Sequence, residues 1–151
     1  MKNKIFITGN DWSGLITRLT VGIILLPHGA QKLFGIFGGY GFSGTMGYFT
    51  DALHLPWIVG FLVIFLEFFG SVALIAGFAS RIWAGAILVL MVGIIITSHL
   101  DNGFFMNWFG NQKGEGFEFH LLVIGLCAAI IVTGSGPTSI DRLIQKSSKQ
   151  N

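Results

Sequence analysis

Four stretches of the chain lack the alternation of apolar and polar positions that a water-facing helix or strand requires. They run over 12–34, 56–78, 82–100 and 118–134. A helix needs about 20 apolar residues to cross a hydrocarbon core, so the pattern predicts an all-α protein. Its architecture would be an integral membrane four-helix bundle, with 1–151 forming a single membrane domain. Only Ala79-Ser80-Arg81 separates the second stretch from the third, a connection short enough to force an antiparallel hairpin. The other two connections are longer than a bundle needs. Within 35–55, Thr45-Met46-Gly47-Tyr48-Phe49 reads as a short interfacial helix. Within 101–117, Phe104, Phe105, Trp108 and Phe109 read as an aromatic belt or as a lid over the bundle.

Composition agrees with the pattern. Of the 151 residues, 52% are hydrophobic and only 11% charged, against roughly 25% charged in soluble domains. Glycine, at 22 residues, is enriched as it is in membrane helices. A net charge of +2 argues against nucleic acid as a partner and leaves the lipid bilayer. Cys127 stands alone, which excludes an internal disulfide or a CxxC dithiol. The N-terminal apolar stretch is interrupted by Arg18, His28 and Lys32, which argues against a cleaved signal peptide. The cations set the orientation. With four spans, Lys2, Lys4, Arg81, Arg142, Lys146 and Lys149 collect on the side of the termini, which positive-inside places in the cytoplasm.

Ionisable groups inside a span cost ~2.5–3.5 kcal/mol at the centre on insertion scales, so they face inward and find partners. At 100° per residue, Arg18, Gly22, Leu25, Gly29 and Lys32 share one stripe of the first span, with His28 at its edge. Glu67 shares a face with Gly60, Ile64, Gly70, Ser71 and Leu74. Arg18 is the expected ion-pair partner of Glu67, reaching it from the cytoplasmic side. On the fourth span, Glu118 lines up with Leu122, Gly125 and Ala129, and this stripe is the expected inward face. His120 continues into Val123, Ile124, Cys127 and Ile131 on the other side. His28, Lys32, His99 and Glu118 gather near the outer face and form the expected ligand site, with no metal expected and no catalytic residue assigned.

The run Leu25-Leu26-Pro27-His28-Gly29-Ala30-Gln31-Lys32-Leu33-Phe34-Gly35, following Arg18, resembles the first-helix signature of DoxX-type membrane proteins. Further resemblances follow in order: Glu67-Phe68-Phe69-Gly70 with Gly77 and Arg81, Met91 to His99, and Gly116-Phe117-Glu118. Last come Gly134-Ser135-Gly136-Pro137 and Ser139-Ile140-Asp141. The resemblance covers about Leu15 to Arg142. It implies four helices in the bacterial cytoplasmic (inner) membrane and the family positions Arg18, His28, Lys32, Glu67, His99 and Glu118. It also implies association with membrane redox systems, since some relatives belong to a thiosulfate:quinone oxidoreductase or to an oxidative-stress complex.

The expected function is therefore a component of a quinone-linked or oxidative-stress redox system. It would bind a small quinone-like, aromatic or sulfur compound near the outer leaflet. His28 and His99 would hydrogen-bond a quinone carbonyl, Lys32 would favour developing negative charge, and Glu118 would relay a proton. The rival is a non-catalytic assembly partner of another membrane or redox subunit, using glycine-rich faces. Self-association is compatible with either. Haem or metal held by His28 and His99 is disfavoured, because no HxxxH or CxxCH spacing supports it.

Overall fold

The computed structural model describes residues 4–150, and Lys2 and Asn151 lie outside them. The described residues are helical and contain no strand. Helix α1 (Trp12–Phe34) starts at Asp11, whose carboxylate accepts from the Ser13 amide at 3.0 Å and the Ser13 hydroxyl at 2.6 Å. These hydrogen bonds, led by the hydroxyl, hold the Asp11 carboxyl below its ordinary range. The helix continues through Pro27 and stops at Gly35, which takes the left-handed conformation with φ 75°. Helix α2 (Gly41–Gly47) extends through one π turn, Tyr48–Ala52, so the short helix expected between the first two spans is present.

Helix α3 (Trp57–Ala76) widens through a π turn at Leu66–Gly70. Helix α4 (Ser80–Asn102) contains a π turn at Ile95–His99 and ends in a 3₁₀ turn. Helix α5 (Glu118–Thr133) and helix α6 (Ile140–Gln150) complete the chain. Helices α1, α3 and α4 are long and apolar enough to cross a membrane. At 16 residues, α5 spans ~24 Å at 1.5 Å per residue, short of the ~30 Å hydrocarbon thickness.

The four apolar helices pack as a ring, with α1 between α3 and α5 and α4 between α5 and α3. Each contributes to one core: Val21 and Leu25 from α1, Leu74 from α3, Ile87 and Met91 from α4, and Val123, Cys127 and Ile130 from α5. The outer surface is apolar as well, with Val89 69% and Val132 78% exposed. Water would not tolerate such a surface in a chain with so few charges, whereas lipid does. The chain is an all-α membrane protein.

Glycine sets the spacing of α1 and α3. A Cβ on Gly29 would lie 2.5 Å from the Phe68 nitrogen and 2.7 Å from the Glu67 carbonyl carbon, and one on Gly22 would lie 2.9 Å from the Ser71 oxygen. The inward stripe expected on α1 is buried at Arg18, Gly22, Leu25 and Gly29. So is the Glu67 face, at Gly60, Ile64, Gly70, Ser71 and Leu74.

The expected pairing of Arg18 with Glu67 is not what forms. Gly29 touches the backbone at Glu67, and Arg18 lies about eleven residues, or ~16 Å along the helix, from that level. Arg18 instead caps the end of the bundle that carries the α3–α4 hairpin. Its guanidinium, 1% exposed, donates to the carbonyls of Ser135 at 2.8 Å, Leu74 at 2.9 Å and Thr138 at 3.0 Å, and also to Ile75. These carbonyls lie at the C-terminal end of α3, where Leu74 also accepts from the Gly77 amide at 3.1 Å, and in the 134–139 segment.

Asp141, also buried, supplies the nearby counter-charge. Its carboxylate accepts from the amides of Ala79 at 2.6 Å and Ser80 at 3.1 Å, and from the Ser135 hydroxyl. An acidic group from α6 thus caps the N-terminus of α4, where unpaired amides and the helix dipole favour it. The C-terminal segment is a clasp that ties α1, the hairpin and α5 together.

Candidate functional site

Toward the opposite end of the bundle, α3 and α4 separate. Leu66–Gly70 and Ser71–Ala76 lie against Ser80–Ile94, whereas Trp57–Phe65 packs on α2 and its π turn. Met46 and Phe49 from that segment are buried with Val63 and Ile64 of α3. A Cβ on Gly60 would already press on the Phe49 ring at 3.0 Å. Splaying α3 from α4 opens a cavity of about 760 Å³ bounded by α1, α3, α4 and α5. Its walls are mostly apolar, including Leu25, Leu66, Leu90, Met91 and Phe119. Val59 and Leu62 of α3 and Val89 of α4 line it and are themselves exposed. The cavity therefore opens sideways, toward lipid, between those helices.

One end of the cavity is polar. The Lys32 ammonium donates to Glu67 Oε2 at 2.6 Å, the only salt bridge among the described residues. Lys32 lies one turn beyond Gly29, at the level where α1 and α3 touch, which is why it and not Arg18 reaches Glu67. Both residues line the cavity. Glu67 is 5% exposed and Lys32 26% in their side chains, so the carboxylate is sealed on the bundle side while the ammonium keeps open space. Glu67 and His99 both sit in π turns, local distortions that are frequent at functional sites.

Three histidines join them. His28, His99 and His120 all line the cavity. The His99 and His120 ring centres are 4.4 Å apart, and the His28 ring lies 6.4 Å from that of Phe119. His99 Nδ1 donates to the Glu115 carbonyl at 2.7 Å. His120 is buried, and its Nδ1 has no hydrogen-bond partner among the described residues. Among the described residues no three His, Cys, Asp or Glu side chains converge in a metal-binding group.

Of the expected site, then, His28, Lys32 and His99 come together, while Glu118 does not line the cavity. Glu118 holds the 103–117 loop. Its Oε1 accepts from the Met106 amide at 3.0 Å and from Trp108 Nε1 at 3.2 Å. Met106, Gly114 and Glu115 of that loop line the cavity, so Glu118 is a staple for the cover. The aromatics of that loop, Phe104, Phe105, Trp108 and Phe109, do not line the cavity and are exposed.

The face of α5 is also the reverse of the expected one. His120, Val123, Cys127 and Ile130 are buried, whereas Leu122 and Gly125 are exposed. A Cβ on Gly125 would meet nothing within 4 Å. Small residues there do not mark a helix contact, because every position of an apolar helix is acceptable to lipid. His120 was thereby missed, and Glu67 gains a partner other than the expected one.

An apolar, lipid-open cavity with an ion pair and imidazoles at one end defines a membrane protein with a buried polar site. The comparisons name its class. The DoxX family model matches residues 14–100, more than half of the chain, and the chain belongs to the DoxX family. It is 30% identical over 147 residues to "Putative oxidoreductase CatD" of Bacillus subtilis (strain 168), covering 97% of this chain and 95% of the relative. It is also 30% identical over 136 residues to "Inner membrane protein YqjF" of Escherichia coli (strain K12), covering 90% of this chain and 95% of the relative. No solved structure matches the chain.

Proposed function

We propose that the chain is a component of a bacterial inner-membrane redox system that binds a small quinone-like aromatic compound in the cavity. The observation that carries this reading is the cavity's division of labour. Apolar walls open toward lipid, while Lys32, Glu67, His28, His99 and His120 crowd one end. Ligand pockets combine mostly apolar lining with a few convergent polar groups, and 760 Å³ falls within their usual range of ~300–1,000 Å³. The names of the two relatives, one an oxidoreductase and one an inner membrane protein, fit a redox role in that membrane.

The test is binding of a short-chain quinone, and of its quinol, to the purified protein. His99→Ala should weaken quinol binding about tenfold by removing a polar partner. Gly93→Phe should abolish it, because Gly93 lines the cavity and a Cβ there meets no neighbour, so the added ring fills space without distorting a contact. Glu118→Gln keeps an acceptor for Met106 and Trp108 and should bind as the parent does. No binding by the parent, or equal binding by all three variants, would favour the assembly role instead.

In this reading all four apolar helices cross, with both termini cytoplasmic. Helix α5 reaches across through local thinning of the bilayer. Reporters fused after Asn151 and inserted within 110–114 should then report opposite compartments. The same compartment for both would mean that α5 does not cross.

A further inference from the structure

The hydrogen-bonding state of the histidines constrains the ligand beyond its shape. His99 Nδ1 lies 2.7 Å from the Glu115 carbonyl oxygen. A carbonyl only accepts, so Nδ1 carries the hydrogen, and in a neutral imidazole the other nitrogen is then an acceptor. The neighbouring His120 ring is 4.4 Å away. His99 lines the cavity, so Nε2 is the acceptor it can offer a ligand there. The His120 Nδ1 beside it is fully buried, with no partner among the described residues, and lies out of a ligand's reach.

Lys32 is the complement. Of its three ammonium hydrogens, one is directed to Glu67 Oε2, which leaves donors at the same polar end. The cavity thus offers an unfilled acceptor and an unfilled donor within one apolar envelope, and Phe119 and the imidazoles provide ring faces beside them.

We propose that the cavity recognises the hydroxyl-bearing form of its ligand, a hydroxyarene of the quinol type. Its O–H donates to His99 Nε2, and its second oxygen accepts from Lys32. A quinone carbonyl satisfies Lys32 but leaves the imidazole acceptor empty, so the hydroxyl form binds more tightly. This rests on the cavity being a ligand site and adds which hydrogen-bond polarity that site requires.

A redox-inert pair of probes separates the two claims: para-heptylphenol and its methyl ether, which differ in the donor alone. Binding is measured on the full-length protein in nanodiscs at matched lipid concentrations of the probe. The phenol should bind about tenfold more tightly than the ether, as expected when a buried acceptor is left unpaired. Replacing the acceptor ring in His99→Phe should bring the two affinities within about twofold of each other. If both probes bind the parent protein equally, the hydroxyl preference is overturned while the cavity remains a binding site. Should neither bind, both readings fall. A preference that persists in His99→Phe also overturns the assignment, since it would then arise from probe size and not from the imidazole. The same collapse in His99→Leu serves as the second readout if His99→Phe does not fold, and the parent comparison stands without either variant.

Discussion

Arg18→Leu should destroy most of the folded protein recovered in mild detergent. Arg18 is buried among the carbonyls of Leu74, Ile75, Ser135 and Thr138, and leucine supplies no donor for any of them. Breaking a buried charged network by removing one side costs roughly 3–5 kcal/mol. That is a large share of the ~5–15 kcal/mol by which folded proteins are stable. Arg18→Lys should rescue little, because one ammonium cannot reproduce the planar fork that reaches both α3 and the 134–139 segment. Asp141→Asn should show a milder loss, since it retains one acceptor for the Ala79 and Ser80 amides but weakens the charge opposite Arg18. Thermal unfolding followed by size-exclusion chromatography checks all three. An Arg18→Leu protein as stable as the parent would show that the clasp does not hold the bundle.

The second large effect distinguishes the two ion-pair assignments. Lys32→Leu and Glu67→Leu should each destabilise, Lys32→Leu more, since it strands a carboxylate that is 5% exposed. An order of 2–3 kcal/mol is expected, below the full buried-pair figure because the ammonium is partly exposed. The Lys32→Leu/Glu67→Leu double variant should recover part of the loss. Arg18→Leu combined with Glu67→Leu should instead be additive, because the two side chains belong to separate networks at different depths. Coupling between Arg18 and Glu67, with none between Lys32 and Glu67, would reverse the assignment.

The pattern of apolar stretches located the helices well. The first span, 12–34, coincides with α1, and the glycine spacing on it marked its buried stripe. Pairing across helices was not legible, because the relative height of two helices is written in neither one's own periodicity. It is set where Gly29 meets Glu67 and Phe68, and that contact makes Lys32 the partner of Glu67. Asp141 was seen only as part of a short terminal run, since a residue that caps a helix from another segment carries no local signature.

Helix α5 shows a second limit. In a membrane both the glycine-containing and the larger apolar face are acceptable outside, so small residues do not decide the inward side. Depth is the better signal. His120 lies further into the span than Glu118, where a polar side chain needs protein around it. Glu118, at the first position of the helix, has a loop and the helix N-terminus for partners.

The central claim is that the cavity holds a small aromatic molecule. Native mass spectrometry of the protein, purified in mild detergent beside its Gly93→Phe variant, tests it most directly. The parent should carry a non-covalent adduct of small mass with ultraviolet absorbance of an aromatic ring, and the variant should lack it at equal folded yield. Parent and variant carrying the same phospholipid adducts and nothing else would contradict the claim.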